Sequence, residues 1–115
     1  MRTLNEYFLT GEIADVSTAG QIYIPVPDGG DIVAIYSVIG GTIATADADL
    51  TAKIGGTAVT GGVITITASG SAAGDVDVVY PTAARRVEAG EAIEIETDGA
   101  STNTIAAGIT VVIRR

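Results

Sequence analysis

The sequence predicts an all-β fold: a single antiparallel β-sandwich or jelly-roll-like domain of about eight or nine strands with a short N-terminal arm. Three observations predict it. Val, Ile and Thr far outnumber the strong helix formers Leu, Glu, Lys, Gln, Arg and Met, and branching at Cβ suits a pleated surface better than a helix. Turn signals recur at short intervals: Pro27-Asp28-Gly29-Gly30, Gly40-Gly41, Gly55-Gly56, Gly61-Gly62, Gly74-Asp75, Gly90-Glu91 and Asp98-Gly99. Between them apolar and polar residues alternate with period two, the signature of half-buried strands. A chain of 115 residues fits one domain.

Taken in order, residues 1–12 stand apart as either an N-terminal arm or a first strand, and residues 13–115 form the sandwich domain. The first segment holds Tyr7 and Phe8, two of the three leucines (Leu4 and Leu9) and little turn chemistry. Ile22, Ile24 and Val26 then alternate with Gln21, Tyr23 and Pro25; proline donates no N–H, so this strand is an edge or carries a bulge. The stretch Asp31–Ile39 is mostly apolar on both faces, with Ile32, Ala34, Tyr36 and Val38 on one and Val33, Ile35, Ser37 and Ile39 on the other. Such a strand is central, or turns one face to a neighbouring subunit.

Leu50, Ala52 and Ile54 alternate with Thr51 and Lys53 and lead through Gly55-Gly56 into Thr57–Val59, a hairpin pattern. Gly61-Gly62 reads as a second hairpin, joining Thr57–Val59 to Val63–Thr67. Val76, Val78 and Tyr80 alternate with Asp75, Asp77 and Val79. Ile93 and Ile95 alternate with Glu94 and Glu96, the cleanest half-buried strand. Ala107, Ile109, Val111 and Ile113 close the chain in the same way. The core is thin: there is no Trp, and most apolar side chains are Ala, Val or Ile. Association of subunits adds buried area to such a core.

Composition excludes several classes of function. The net charge is −8, with Lys53 the one lysine and five arginines, which argues against nucleic acid and anionic membranes as partners. No run approaches the ~20 apolar residues of a membrane span. The N-terminus lacks the pattern of a cleaved signal. The absence of cysteine fits a reducing cytoplasm.

With neither His nor Cys, the usual general base, thiol nucleophile and imidazole ligand are missing. Glu94 with Glu96, and Asp75 with Asp77, share strand faces, but alternating acids are also what a solvated face looks like. Asp47-Ala48-Asp49 and Asp75-Val76-Asp77 present oxygens at alternate positions. An EF-hand loop from Asp47 fails at Ala52 and Ala58, while a calcium loop assembled from two segments stays open. No phosphate-binding glycine motif occurs. The tyrosines fall mostly at inward or mixed positions, which disfavours a sugar-stacking face.

The stretch Ala46-Asp-Ala-Asp-Leu-Thr-Ala-Lys-Ile-Gly-Gly-Thr-Ala-Val-Thr-Gly-Gly, then Gly74-Asp75, Pro81-Thr82-Ala83, Val87-Glu-Ala-Gly-Glu-Ala-Ile-Glu-Ile and Asp98-Gly99-Ala-Ser-Thr, resembles small capsid decoration (cement) proteins of tailed bacteriophages. The resemblance covers about residues 20–115. It implies a β-sandwich or jelly roll that sits on the capsid exterior as a homotrimer. It further implies clamping of adjacent major capsid proteins, no cofactor and no reaction, and synthesis in the bacterial host cytoplasm. Other readings are a small carbohydrate-binding sandwich, with or without calcium, and a tail or head-fibre component. The residues expected to meet a protein partner are Arg2, Leu4, Tyr7, Phe8 and Leu9 at the N-terminus, Ile32, Tyr36 and Val38 on the doubly apolar strand, and the Arg85-Arg86 pair.

Overall fold

The computed structural model describes residues 5–115. Strands β1 (Glu6–Ile13), β9 (Ala107–Arg114), β3 (Gly30–Ile39) and β6 (Val76–Val79) lie side by side in one antiparallel sheet, with β7 (Arg86–Val87) continuing the β6 position along β3. The facing sheet runs β2 (Gly20–Pro25), β8 (Ala92–Thr97), β4 (Ala48–Ile54), β5 (Thr57–Ile66). Except for the β4–β5 hairpin and the β6–β7 pair, each successive strand crosses to the other sheet. With β6 and β7 counted as one interrupted position, the order is that of a jelly roll. No helix is present among the described residues.

The core between the sheets consists of Ile, Val, Leu and Ala, with isoleucine dominant and no fully buried aromatic. Its centre comes from the expected alternation: Ile93 and Ile95 from β8, and Ile109, Val111 and Ile113 from β9. Thr97 continues the inward side of β8, and its hydroxyl donates to the Val16 carbonyl at 3.1 Å. That bond satisfies the carbonyl of Val16, the buried residue of the otherwise exposed or half-buried β1–β2 connection. Pro25 ends β2, an edge strand, where its missing N–H costs the sheet nothing.

Gly55 and Gly56, with φ of +59° and +83°, turn β4 into β5 as a two-residue hairpin loop. Gly61-Gly62 does something different from the expected hairpin. β5 is continuous, and its register with β4 jumps from Thr51↔Val63 to Lys53↔Ala58. Residues 59–62 therefore bulge from the ladder. Thr60 within the bulge is bonded to the β6–β7 connection: its N–H donates to the Ala83 carbonyl (3.0 Å), and its carbonyl accepts from Thr82 (2.9 Å). The two glycines release the strand to reach across to the other sheet.

A second bulge, at Val33, lies between the pairs Ile32↔Ile113 and Ala34↔Val112. One extra residue reverses which face each side chain takes. Ile32 is consequently in the core at 0% exposure, separated from Ala34, Tyr36 and Val38, whose register turns them to the outer side, where Tyr36 and Val38 are exposed and Ala34 is covered. The regular alternation expected over Asp31–Ile39 does not survive this bulge.

Candidate protein-interaction face

Residues directly opposite one another in an antiparallel pair share a face, with Cβ atoms about 4.5–5.5 Å apart. The registers of β1, β9, β3 and β6 therefore order the outer face of the first sheet into rows. One row runs Thr10, Thr110, Tyr36, Val78. The next runs Glu12, Gly108, Val38, Val76. On the other side of the first lies Phe8, Val112, Ala34, and Tyr80 follows one residue beyond the last β6 partner. Phe8, Val76 and Tyr80 are 68%, 61% and 62% exposed. A shallow groove is lined by Tyr36, Ser37, Val38, Val76, Gly108 and Thr110, with Val38 Cγ1 leaning over Gly108.

At the end of the same face, β1, β9, β3 and β7 bring Glu6, Arg114, Asp31 and Arg86 into register. This is a ladder of alternating sign. Arg114 Nε donates to Glu6 Oε2 at 2.8 Å, and Arg86 Nη1 lies 4.0 Å from Asp31 Oδ1 while its Nε donates to Glu88 at 3.2 Å. The charges on this part of the face nearly cancel.

The other sheet presents a different outer face. Its rows read Gln21, Glu96, Thr51, Val63 and Tyr23, Glu94, Lys53, Ala58. Lys53 Nζ is 3.1 Å from Glu96. The hydrogen bond to that carboxylate raises the Lys53 pKa above the ordinary lysine value.

The residues expected to meet a partner are dispersed. Arg2 and Leu4 lie outside the described residues. Tyr7 and Leu9 face inward and pack on the core. The Tyr7 hydroxyl donates to the Asp28 carbonyl, and the Arg115 guanidinium sits over its ring, 5.8 Å from the centroid. Phe8, between them, points out. Tyr36 and Val38 join Phe8 on one face, while Ile32 does not. Arg85 turns back to the Ile32 carbonyl at 3.4 Å, and Arg86 belongs to the charge ladder.

Val76, Val78, Val112 and Gly108 were missed as surface residues, although the alternation of Val76, Val78 and Tyr80 was visible in the sequence. Period two does not say which of two faces is inner. For the same reason the tyrosines are more exposed than expected: Tyr23, Tyr36 and Tyr80 all reach the surface. Tyr23 and Tyr36 lie on opposite outer faces, so they form no common stacking platform.

Three of the four acids considered for calcium accept hydrogen bonds from within the chain. Asp47 accepts from the Ala68 N–H, Asp49 from the Thr65 hydroxyl and Asp75 from the Ala72 N–H, each at 2.9 Å. Among the described residues no group of three or more acids is placed to hold a metal ion. Asp15 closes the β1–β2 turn by accepting from the Ser17 hydroxyl and N–H and the Thr18 hydroxyl. The Ser17 bonds hold its carboxyl below the ordinary aspartate pKa.

No protein-family model matches the sequence, and no curated protein does. Solved structures match it in shape. A chain of the acidic stable capsid structure of Helicobacter pylori bacteriophage KHP30 superposes with a TM-score of 0.58 at 12% identity, covering 96% of this chain and 87% of that one. A chain of the cyanophage Pam1 capsid asymmetric unit gives 0.57 at 14% identity, covering 96% and 84%. The PRD1 vertex protein P5 gives 0.52 at 15%, covering 96% of both. At these identities the likeness is one of fold. This chain shares its all-β sandwich with chains of phage capsid and vertex structures.

Proposed function

We propose that the protein is a structural component of a phage virion. It binds the outside of the head, clamps adjacent major capsid proteins and stabilises the shell, without catalysing a reaction. The observation that carries this reading is the fold likeness over 96% of the chain to chains of phage capsid and vertex structures. The resemblance of the Ala46–Gly62 and Val87–Ile95 stretches to decoration proteins points the same way. An acidic exterior keeps a densely decorated particle soluble. The apolar outer face of the β1-β9-β3-β6 sheet supplies a surface that gains from being covered.

Mixing the purified protein with undecorated, expanded heads tests the proposal. Cosedimentation with the heads and a higher melting temperature of the shell are the expected results. Absence of both would overturn it. The likeness to a vertex protein over 96% of each chain favours a second reading, a place at the vertices or on a fibre. Electron cryomicroscopy of decorated particles separates the two by whether density covers the lattice or only the vertices.

A further inference from the structure

The outer face of the β1-β9-β3-β6 sheet matches itself when turned over. A two-fold axis parallel to the strands, lying between two stacked copies, reverses each row and sets it against its original. The ladder Glu6, Arg114, Asp31, Arg86 then meets its own reverse. Glu6 faces Arg86 and Arg114 faces Asp31, so each position meets the opposite sign.

The apolar rows match by size under the same operation. Val38 of one copy faces Gly108 of the other, beside the shallow groove between Tyr36 and Val76. Tyr36 faces Thr110 and Val78 faces Thr10; Ala34, opposite Val112, is already buried in its own chain. Phe8 comes over the end of β6, where Tyr80 stands exposed. At the rim, where water reaches it, Glu12 lies against Val76.

Charge and area both select a second copy as the occupant. A chain of net charge −8 repels its own copies over most of its surface. The outer face of the other sheet carries Glu94, Glu96 and Asp49 against Lys53 alone, whereas the ladder face is close to balanced. The exposed parts of Phe8, Tyr36, Tyr80 and the three valines amount to roughly 500 Å². A stable interface needs about 800 Å² per partner. The apolar rows fall short alone and reach that size only with the ladder, which a second copy complements.

We infer that two copies of this chain pair isologously through the outer faces of their β1-β9-β3-β6 sheets. The contact is two-fold, in place of the three-fold one that the resemblance implies. It depends only on self-association and not on the capsid.

The test uses the free full-length chain. Sedimentation is expected to give twice 11.5 kDa; a monomer or a trimer at micromolar concentration overturns the inference. Phe8→Lys is expected to raise the dimer dissociation constant about thirtyfold or more, the effect of losing an aromatic anchor. Because the chain has no cysteine, crosslinking adds an independent check that keeps the surface intact. Thr10 and Val78 lie three strand spacings apart in one chain, about 14 Å.

Thr10→Cys combined with Val78→Cys, treated with a bismaleimide shorter than that span, is expected to give a covalent dimer. Either substitution alone is expected to give none. A folded double variant that stays uncrosslinked, or a single variant that crosslinks as well as the double, overturns the pairing. Head cosedimentation of the same variants reads the virion role separately. A monomer whose Phe8→Lys variant no longer binds heads shows that capsid protein covers this face: the inference fails and the virion reading stands.

Discussion

In the sheet of β2, β8, β4 and β5 a central outward row reads Tyr23, Glu94, Lys53, Ala58; in the sheet of β1, β9, β3 and β6 it reads Thr10, Thr110, Tyr36, Val78. The inner faces of both sheets are alike, built from isoleucine and valine. The difference lies entirely in the outer faces. Charged side chains on the first are already satisfied by water and by one another. Valine and tyrosine on the second keep apolar surface in water, and removing it is worth roughly 25 cal/mol per Å². One strand period thus serves two ends: it makes the common core, and it marks which face expects company.

Four measurements test that contrast. The largest effect is expected from the shared inner layer. Ile95→Ala in β8 and Ile109→Ala in β9 should each lower stability by about 2–5 kcal/mol in urea unfolding, because each empties a fully packed site. Markedly unequal losses would show that the two sheets do not share one core.

Next comes Thr97→Val, which keeps the shape but strands the buried Val16 carbonyl. A loss of about 1–3 kcal/mol is expected. Third, Val76→Ser on the apolar outer face should change the stability of the dilute protein by no more than about 0.5 kcal/mol. A loss as large as that of Ile95→Ala would mean that this face is structural rather than available.

The smallest effects concern pH. Asp15 has a lowered pKa in the folded chain, so its contribution is present above the unfolded value of about 3.9 and is lost as pH falls through the folded value. Melting temperatures of wild type and Asp15→Asn should therefore differ at neutral pH and converge in acid. Lys53 has a raised pKa, so the sign reverses. Its contribution is present below about 10.4 and fades as pH rises through the folded value. Lys53→Met should converge with wild type only in strong alkali, and salt should shrink the difference because the pair is partly exposed.

Much of the fold was legible. Ile93 and Ile95 against Glu94 and Glu96 gave β8 its inner face, Ala107 to Ile113 gave β9, and Gly55-Gly56 placed the β4–β5 turn. The two failures have one physical cause. A bulge leaves no mark on hydropathy when the residues around it are all small or apolar, as at Val33 and at Val59–Gly62. Yet it reverses the faces or the pairing beyond it. For the interaction face, Tyr36, Val38 and Phe8 were found because they are large and apolar. Val76, Val78 and Val112 were not, because only the strand register shows which valines turn outward.

The pairing of Glu6 with Arg114 and of Ile13 with Ala107 also bears on how the chain is made. β9 lies between β1 and β3, so neither can complete its hydrogen-bonded ladder until β9 has been synthesised and has left the ribosome. A nascent chain must carry two open strand edges for most of its translation, and contacts so distant in sequence form slowly. Closure of this sheet therefore waits for Ala107–Arg114, and a chain cut before Ala107 would leave β1 and β3 with no strand between them.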